Sequence, residues 1–323
     1  MRFIIYGAGG IGGVIGGHLA RTKHDVMLIG RPGQVKAVTK HGLHLITPTG
    51  THILHIPAVT EPREIKFGPE DVVFLTMKGQ NTDEALSVLK KEVEDVPIFC
   101  FQNGVRNEET SSRHFPRVYG AMVRVGATYL KDGEVTAHRD PPGWFVIGRY
   151  PKGSDKLAEA VAAELRVAGF FAKTSEDVMP FKWSKLMSNL ANAVGAITDA
   201  RGEDANKLSR AAQQELSDAL ARAGIKWTSQ EQIAKEWPEI SAPLRGSIET
   251  DAKSSTWQSL AREQGSVETE FLNGEVVSLS KRLGLHAPVN EMLVRISQEM
   301  AAKHEAPGKY TPSQLLAQVA SSR

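Results

Sequence analysis

The first twenty residues, MRFIIYGAGGIGGVIGGHLA (Met1–Ala20), decide how the rest of the chain is read. "RFIIY" is a short apolar run with two β-branched residues, the pattern of a strand buried on both faces. It runs directly into Gly7-Ala8-Gly9-Gly10-Ile11-Gly12, which has the G-x-G-x-x-G spacing, and a helix-compatible stretch follows. Each glycine has a physical reason. Gly7 permits a tight turn, Gly9 lets backbone approach a pyrophosphate, and Gly12 lets the helix sit close to the sheet. The first N–H groups of that helix then face an anion. Gly7, Gly9, Gly10, Ile11 and Gly12 are therefore candidate dinucleotide contacts. The seven glycines in this stretch also argue against an export signal, because they interrupt the apolar run such a signal needs.

A second strand is expected at "DVMLIG". Its end is where a dinucleotide-binding fold places the residue that meets the adenosine ribose; an acid there would accept the 2′-hydroxyl of NAD. This chain has Gly30-Arg31 instead. A guanidinium can pair bidentately with a 2′-phosphate, so NADPH/NADP+ is the expected cofactor. The stretch "GLHLITPTGTHILHIPAV" reads as antiparallel strands about a turn at Pro48–Gly50. His44, His52 and His55 lie there as surface strand residues without acid or cysteine partners, and no metal site is expected. Two more apolar runs end in polar clusters: "DVVFLTMKGQNT" delivers Lys78, and "VPIFCFQNGV" delivers Gln102, Asn103 and Gly104. In an open parallel sheet both clusters lie at the carboxyl ends of strands, where ligands bind. Strands over 119–150 are expected to close the sheet, followed by a helix near 155–168 and a last strand, "FFAKT".

Beyond Ser175 the pattern is helical, with helices expected near 176–198, 203–224, 228–237, 241–260, 266–284 and 288–303. In "KWSKLMSNLANAVGAITD" (182–199), Trp183, Leu186, Met187, Leu190, Val194 and Ile197 form an apolar helix face. Lys185, Asn189 and Asn192 line up within about 60° on the other side. That second stripe holds no acid, and asparagine is a poor helix former, which distinguishes it from an ordinary solvated face.

The whole-chain numbers set the class. With 323 residues, 41% hydrophobic and 24% charged, the chain has material for two cores. A formal charge of +2, from 39 basic and 37 acidic residues, provides no field to attract nucleic acid or an anionic membrane. No apolar run reaches the length of a membrane span. The single cysteine, Cys100, sits inside an apolar run as a small buried hydrophobe, so no disulfide framework exists and a reducing cytoplasm suits the chain. A homodimer is left open.

Several of these pieces together resemble the ketopantoate reductase (2-dehydropantoate 2-reductase) family: "GAGGIG", Arg31 after the second strand, "TMKGQNT", "FQNGV", "KWSKLMSNL", "SSTWQS" and "VETEFLNGEVV". The resemblance implies an α/β fold, with an N-terminal Rossmann-like dinucleotide-binding domain over 1–175 and an all-α substrate-binding and catalytic domain over 176–323. It implies NADPH-dependent reduction of a small-molecule 2-oxo acid, 2-dehydropantoate, to pantoate, a step toward pantothenate. On the matching positions Lys185 is the catalytic lysine and general acid. Asn189, Ser255 and Glu268 hold substrate, Asn103 sits beside the nicotinamide, and Lys78 contacts cofactor. The family's second asparagine falls on Ala193, with Asn192 beside it as the candidate replacement, and an expected acid falls on Ser259. Both departures lie on the substrate side. They leave open a paralogous NADP(H)-dependent reductase or dehydrogenase acting on another carbonyl or alcohol; a non-catalytic NADP(H)-binding regulator is a more remote reading.

Overall fold

The computed structural model describes residues 1–241, 243–248 and 253–321. Along the chain lie β1 (Arg2–Tyr6), α1 (Gly10–Arg21), β2 (Asp25–Ile29), α2 (Pro32–His41), β3 (Leu43–Thr47), β4 (Gly50–Leu54), β5 (Ala58–Val59), β6 (Asp71–Leu75), α3 (Thr82–Glu92), β7 (Ile98–Cys100) and α4 (Asn107–Ser112). There follow β8 (Val118–Val125), β9 (Ala127–Thr128), β10 (Glu134–Ala137), β11 (Arg139–Asp140), β12 (Gly143–Arg149), α5 (Lys156–Val167) and β13 (Phe171–Thr174). The remainder is α6 (Met179–Asn189), α7 (Ala191–Thr198), α8 (Glu203–Ala223), α9 (Gln230–Glu236), β14 (Gly246–Ser247), α10 (Ser255–Ala261), α11 (Asn273–Arg282), α12 (Pro288–Ala302) and α13 (Pro312–Ser321). The chain is thus α/β in its first part and helical in its second. It forms two compact units, Met1–Lys182 with Ser229–Asp251, and Trp183–Thr228 with Ala252–Arg323.

The first unit is built on an eight-stranded sheet ordered β13-β12-β8-β7-β6-β1-β2-β5. Six neighbouring strands, β8 to β5, run parallel, and β12 is antiparallel to β8. Alternation within β1 shows why such strands read as continuous apolar runs. Phe3 and Ile5 enter one core with Val14, Ile15 and Leu19 of α1, while Ile4 enters the other with Leu86 and Leu89 of α3. A strand covered on both faces has no polar side to show.

The hairpin at Pro48 forms as expected, with Thr47 paired to Gly50 across a two-residue turn. His44 and His52 are half-buried instead of lying on the surface, and His52 Nε2 finds no hydrogen-bond partner among the described residues. The expectation that 119–150 closes the main sheet holds only for β8 and β12. β10 instead pairs in parallel with β3 in a second sheet, β4-β3-β10-β9, and β11 pairs with β14. Such pairings are between distant segments and leave no local mark.

The expected helix over 241–260 is corrected. Gly246–Ser247 is a strand against Arg139–Asp140, and helix begins only at Ser255; residues 242 and 249–252 lie outside the described ones. Pro243 and Gly246 are the breakers responsible. The expected helix over 176–198 is two, α6 and α7, and that over 266–284 is a 3₁₀ turn, Thr269–Phe271, followed by α11. Helices α2, α3, α4 and α13 were not expected. Segment 229–248, read as part of the helical half, belongs to the first unit, where Trp237 stacks on Phe181 at 5.7 Å and meets Trp144 edge-on at 6.0 Å.

Candidate active site

Within the first unit the glycine loop is shaped by its neighbours. Gly7 adopts φ +117°, and a Cβ there would collide with the backbone of Thr76 and Met77. A Cβ on Gly12 would strike the Gly7 carbonyl and Thr76 Oγ1, so only glycine lets α1 sit this close to β1 and β6. Thr76 Oγ1 donates to the carbonyls of Tyr6 (3.1 Å) and Gly7 (2.9 Å), fastening the end of β6 to the loop. No side chain caps α1, and its first turn holds no acid. The leading N–H groups of Gly10, Ile11 and Gly12 have no partner within the helix, which is the arrangement that receives a phosphate.

Arg31 follows β2 in extended conformation and begins α2, with Pro32 fixing the turn into the helix. Its side chain is exposed and makes no hydrogen bond or ion pair with any described residue. A cation left unengaged at the end of β2 fits a 2′-phosphate. Lys78 is half-buried at the turn after β6. The loop after β7 is held tightly: buried Gln102 donates from Nε2 to the Met77 carbonyl (3.1 Å) and Thr82 Oγ1 (2.7 Å), and Asn107 Nδ2 donates to the carbonyl of half-buried Asn103 (2.8 Å).

Sequence reasoning missed the residue that completes this anchor. Lys182, 2% exposed, ion-pairs with Glu108, 0% exposed, and donates to the carbonyls of Gln102 (3.1 Å) and Ala121 (3.4 Å). Burial pushes the Glu108 carboxyl above the usual range, and the Lys182 charge opposes that shift. Lys182 was visible as the first residue of the "KWSK" stretch. Its counter-ion, far upstream, was not.

The second unit carries the remaining candidates. Lys185 is half-buried on α6, and Asn189, one turn on, is buried. The opposite face is apolar as expected: Trp183, Leu186, Leu190, Val194 and Ile197 are buried and Met187 half-buried. The helix is interrupted at Leu190, whose carbonyl receives Nδ2 of buried Asn273 (3.3 Å); that same amide donates to Asn290 Oδ1 (2.9 Å). A side chain inserted into the helical ladder is an ordinary cause of such a break. The stripe read as one line through Lys185, Asn189 and Asn192 therefore runs over two helices, with Asn192 on α7, while Leu190 between them keeps helical dihedrals.

Asn192 is half-buried, while Ala193 is fully buried within the packing of α7. The Asn192 carbonyl accepts from Ser254 Oγ (3.3 Å), and Ser254, not Ser255, caps α10 by accepting from Trp257 N. Ser255 is exposed; its carbonyl accepts from the hydroxyl of buried Ser259 (2.8 Å). Glu268 is buried, directly before the 3₁₀ turn that leads into α11. The cofactor candidates thus fall in one unit and the lysine with its polar neighbours in the other.

Known proteins share this arrangement of sequence. Residues 3–152 match the family described as ketopantoate reductase PanE/ApbA, and residues 177–301 match its C-terminal part. The chain is 31% identical to the 2-dehydropantoate 2-reductase of Pyrococcus horikoshii, over 91% of this chain and 95% of that one. It is 28% identical to that of Archaeoglobus fulgidus, over 91% and 96%. Among solved structures, a PanE/ApbA family ketopantoate reductase from Ralstonia eutropha JMP134 superimposes with a TM-score of 0.79 at 30% identity, covering 94% of this chain and 99% of that one. A glycine loop, an unengaged arginine after β2 and a lysine–asparagine helix occurring in this order, and matched along nearly the full length, make this chain a member of the ketopantoate reductase family.

Proposed function

We propose that this chain reduces a 2-oxo acid to the 2-hydroxy acid with NADPH, its substrate being 2-dehydropantoate and its product pantoate. The first unit binds NADP(H) and the helical unit binds substrate. The observation that carries the reading is Lys185: a half-buried ammonium on a helix whose next turn bears buried Asn189, in a unit that also buries Glu268.

When bound, NADPH supplies hydride to the carbonyl carbon. The negative charge that develops on the carbonyl oxygen calls for a cation and a proton, and Lys185 provides both, donating a proton from Nζ and regaining one from solvent. Asn189 and Asn192 offer amide donors and acceptors to the substrate's polar groups. Glu268 accepts from a substrate hydroxyl, and Ser255 adds a further hydroxyl. Asn103 serves the nicotinamide end and Lys78 the cofactor phosphates, with Gly7 to Gly12 and Arg31 holding the remainder. These roles suit a chain whose one thiol is buried and whose described helices include none long and apolar enough to cross a membrane.

NADPH oxidation measured with 2-dehydropantoate and a panel of branched 2-oxo acids tests the reading. Turnover is expected for 2-dehydropantoate and is lost in Lys185→Ala. Absence of turnover with every compound defeats the assignment, and so does a Lys185→Ala enzyme that matches wild type.

A further inference from the structure

The connection from Ala127 to Gly133 has no place in the reading so far, yet it lies against the glycine loop. A Cβ on Gly9 would stand 3.6 Å from the Tyr129 ring, and one on Gly10 would stand 3.5 Å from Ala127 Cβ and 3.6 Å from Tyr129 Cβ. The Tyr129 hydroxyl donates to Asp132 Oδ1 at 2.5 Å. The other carboxylate oxygen, Oδ2, sits over Gly33 in the first turn of α2, so close that a Cβ on Gly33 would collide with it. Buried Gln34 locks the arrangement. Its Nε2 donates to the Ala8 carbonyl (2.9 Å), and its Oε1 accepts from Gly133 N (2.6 Å). Glycine loop, start of α2 and the Tyr129–Gly133 turn are therefore one fixed body, with an exposed carboxylate at its rim beside the segment that begins with Arg31.

In a dinucleotide-binding fold the end of β2 carries the acid that accepts the ribose 2′-hydroxyl of NAD. Here that position is Gly30-Arg31, and the only sequence-local group is a cation. We propose that Asp132 supplies the missing acid from a different strand connection and is a cofactor-specificity residue: it accepts the 2′-hydroxyl of NADH and repels the 2′-phosphate of NADPH. Arg31 and Asp132 then set the ratio of the two affinities by opposing charges. Gly33 is what admits the carboxylate, and the positive end of α2 steadies it there. The proposal rests on the reading of the glycine loop as the nucleotide site.

The test is direct titration of the full chain with NADPH and NADH, without substrate, followed by nucleotide fluorescence. In Asp132→Asn, NADPH is expected to bind about threefold tighter and NADH about threefold weaker, moving the ratio of dissociation constants about tenfold. Tyr129→Phe, which frees the carboxylate while retaining it, is expected to move the ratio the same way by a smaller factor. An Asp132→Asn ratio within about twofold of wild type overturns the role of Asp132 and leaves the nucleotide site standing. A folded wild-type chain that binds neither nucleotide overturns the reading of the glycine loop, and the proposal with it.

Discussion

Arg31 and Lys185 are cations in different settings, and the difference tells what each loses on substitution. Arg31 is exposed and engages no described residue, so removing it should cost the fold almost nothing. Its effect should appear in binding: Arg31→Ala is expected to weaken NADPH by about 1.5–3 kcal/mol and to spare NADH, as read by titration. Equal weakening of both would show that the guanidinium serves some other part of the cofactor. Lys185 is half-buried, and in the proposed reaction its proton is needed only as the carbonyl is reduced. Lys185→Ala should lower kcat by about 10²–10⁴-fold with the NADPH dissociation constant unchanged, as measured by steady-state kinetics beside titration. Lysine and asparagine types at one-turn spacing made this part of the candidate site legible in sequence as a helix stripe, and both residues do lie on α6. What spacing did not reveal was which neighbour is buried: Ala193 is fully buried in the packing of α7, so an asparagine there would have to find a hydrogen-bond partner inside that packing, whereas Asn192 is half-buried.

At the scale of elements, legibility followed the range of the interactions that make them. The strand, turn and helix at the start are specified by adjacent residues and read correctly. The break between α6 and α7 is made by Asn273, and the parallel pairing of β10 with β3 by segments far apart, so neither left a local trace. The α6 anchor is the case with the largest energetic consequence. Lys182→Met would strand the Glu108 carboxylate in a dry interior, which costs about 3–5 kcal/mol. Because burial already raises the Glu108 carboxyl, its deficit in the variant should be greatest at neutral and higher pH. It should fade as pH falls toward the ordinary carboxyl value of 4.5, because the buried carboxyl of the folded variant takes up its proton at a higher pH than the unfolded chain does. Denaturant melts of Lys182→Met across pH check the trend. Combining it with Glu108→Leu should recover much of the loss, because two apolar groups leave no unpaired charge.

For the molecule as a whole, one histidine gives the first unit an acid limit. His18 on α1 is 6% exposed, packs edge-on against Phe170 at 5.2 Å, and is pushed down to about 4 chiefly by burial. The unfolded chain takes up its proton near pH 6.5 and the folded chain only near pH 4, so stability is whole above the first value and declines as pH falls toward the second. The decline should amount to about 3 kcal/mol, and a His18→Gln chain should lack it in chemical denaturation between pH 7 and 4.

The return of Ser229–Asp251 to the first unit carries a consequence for biosynthesis. A ribosome that has released residues up to Lys182 has made the whole eight-stranded sheet, yet Trp144 and Phe181 still lack Trp237, and β11 still lacks β14. The leading unit can finish only after α8 has been synthesised, so its nascent sheet must emerge with an apolar, strand-edged flank uncovered. Split at Lys182, the gene would not encode two self-sufficient proteins, and the elongating chain is a more natural client for a chaperone than the order of its domains would suggest.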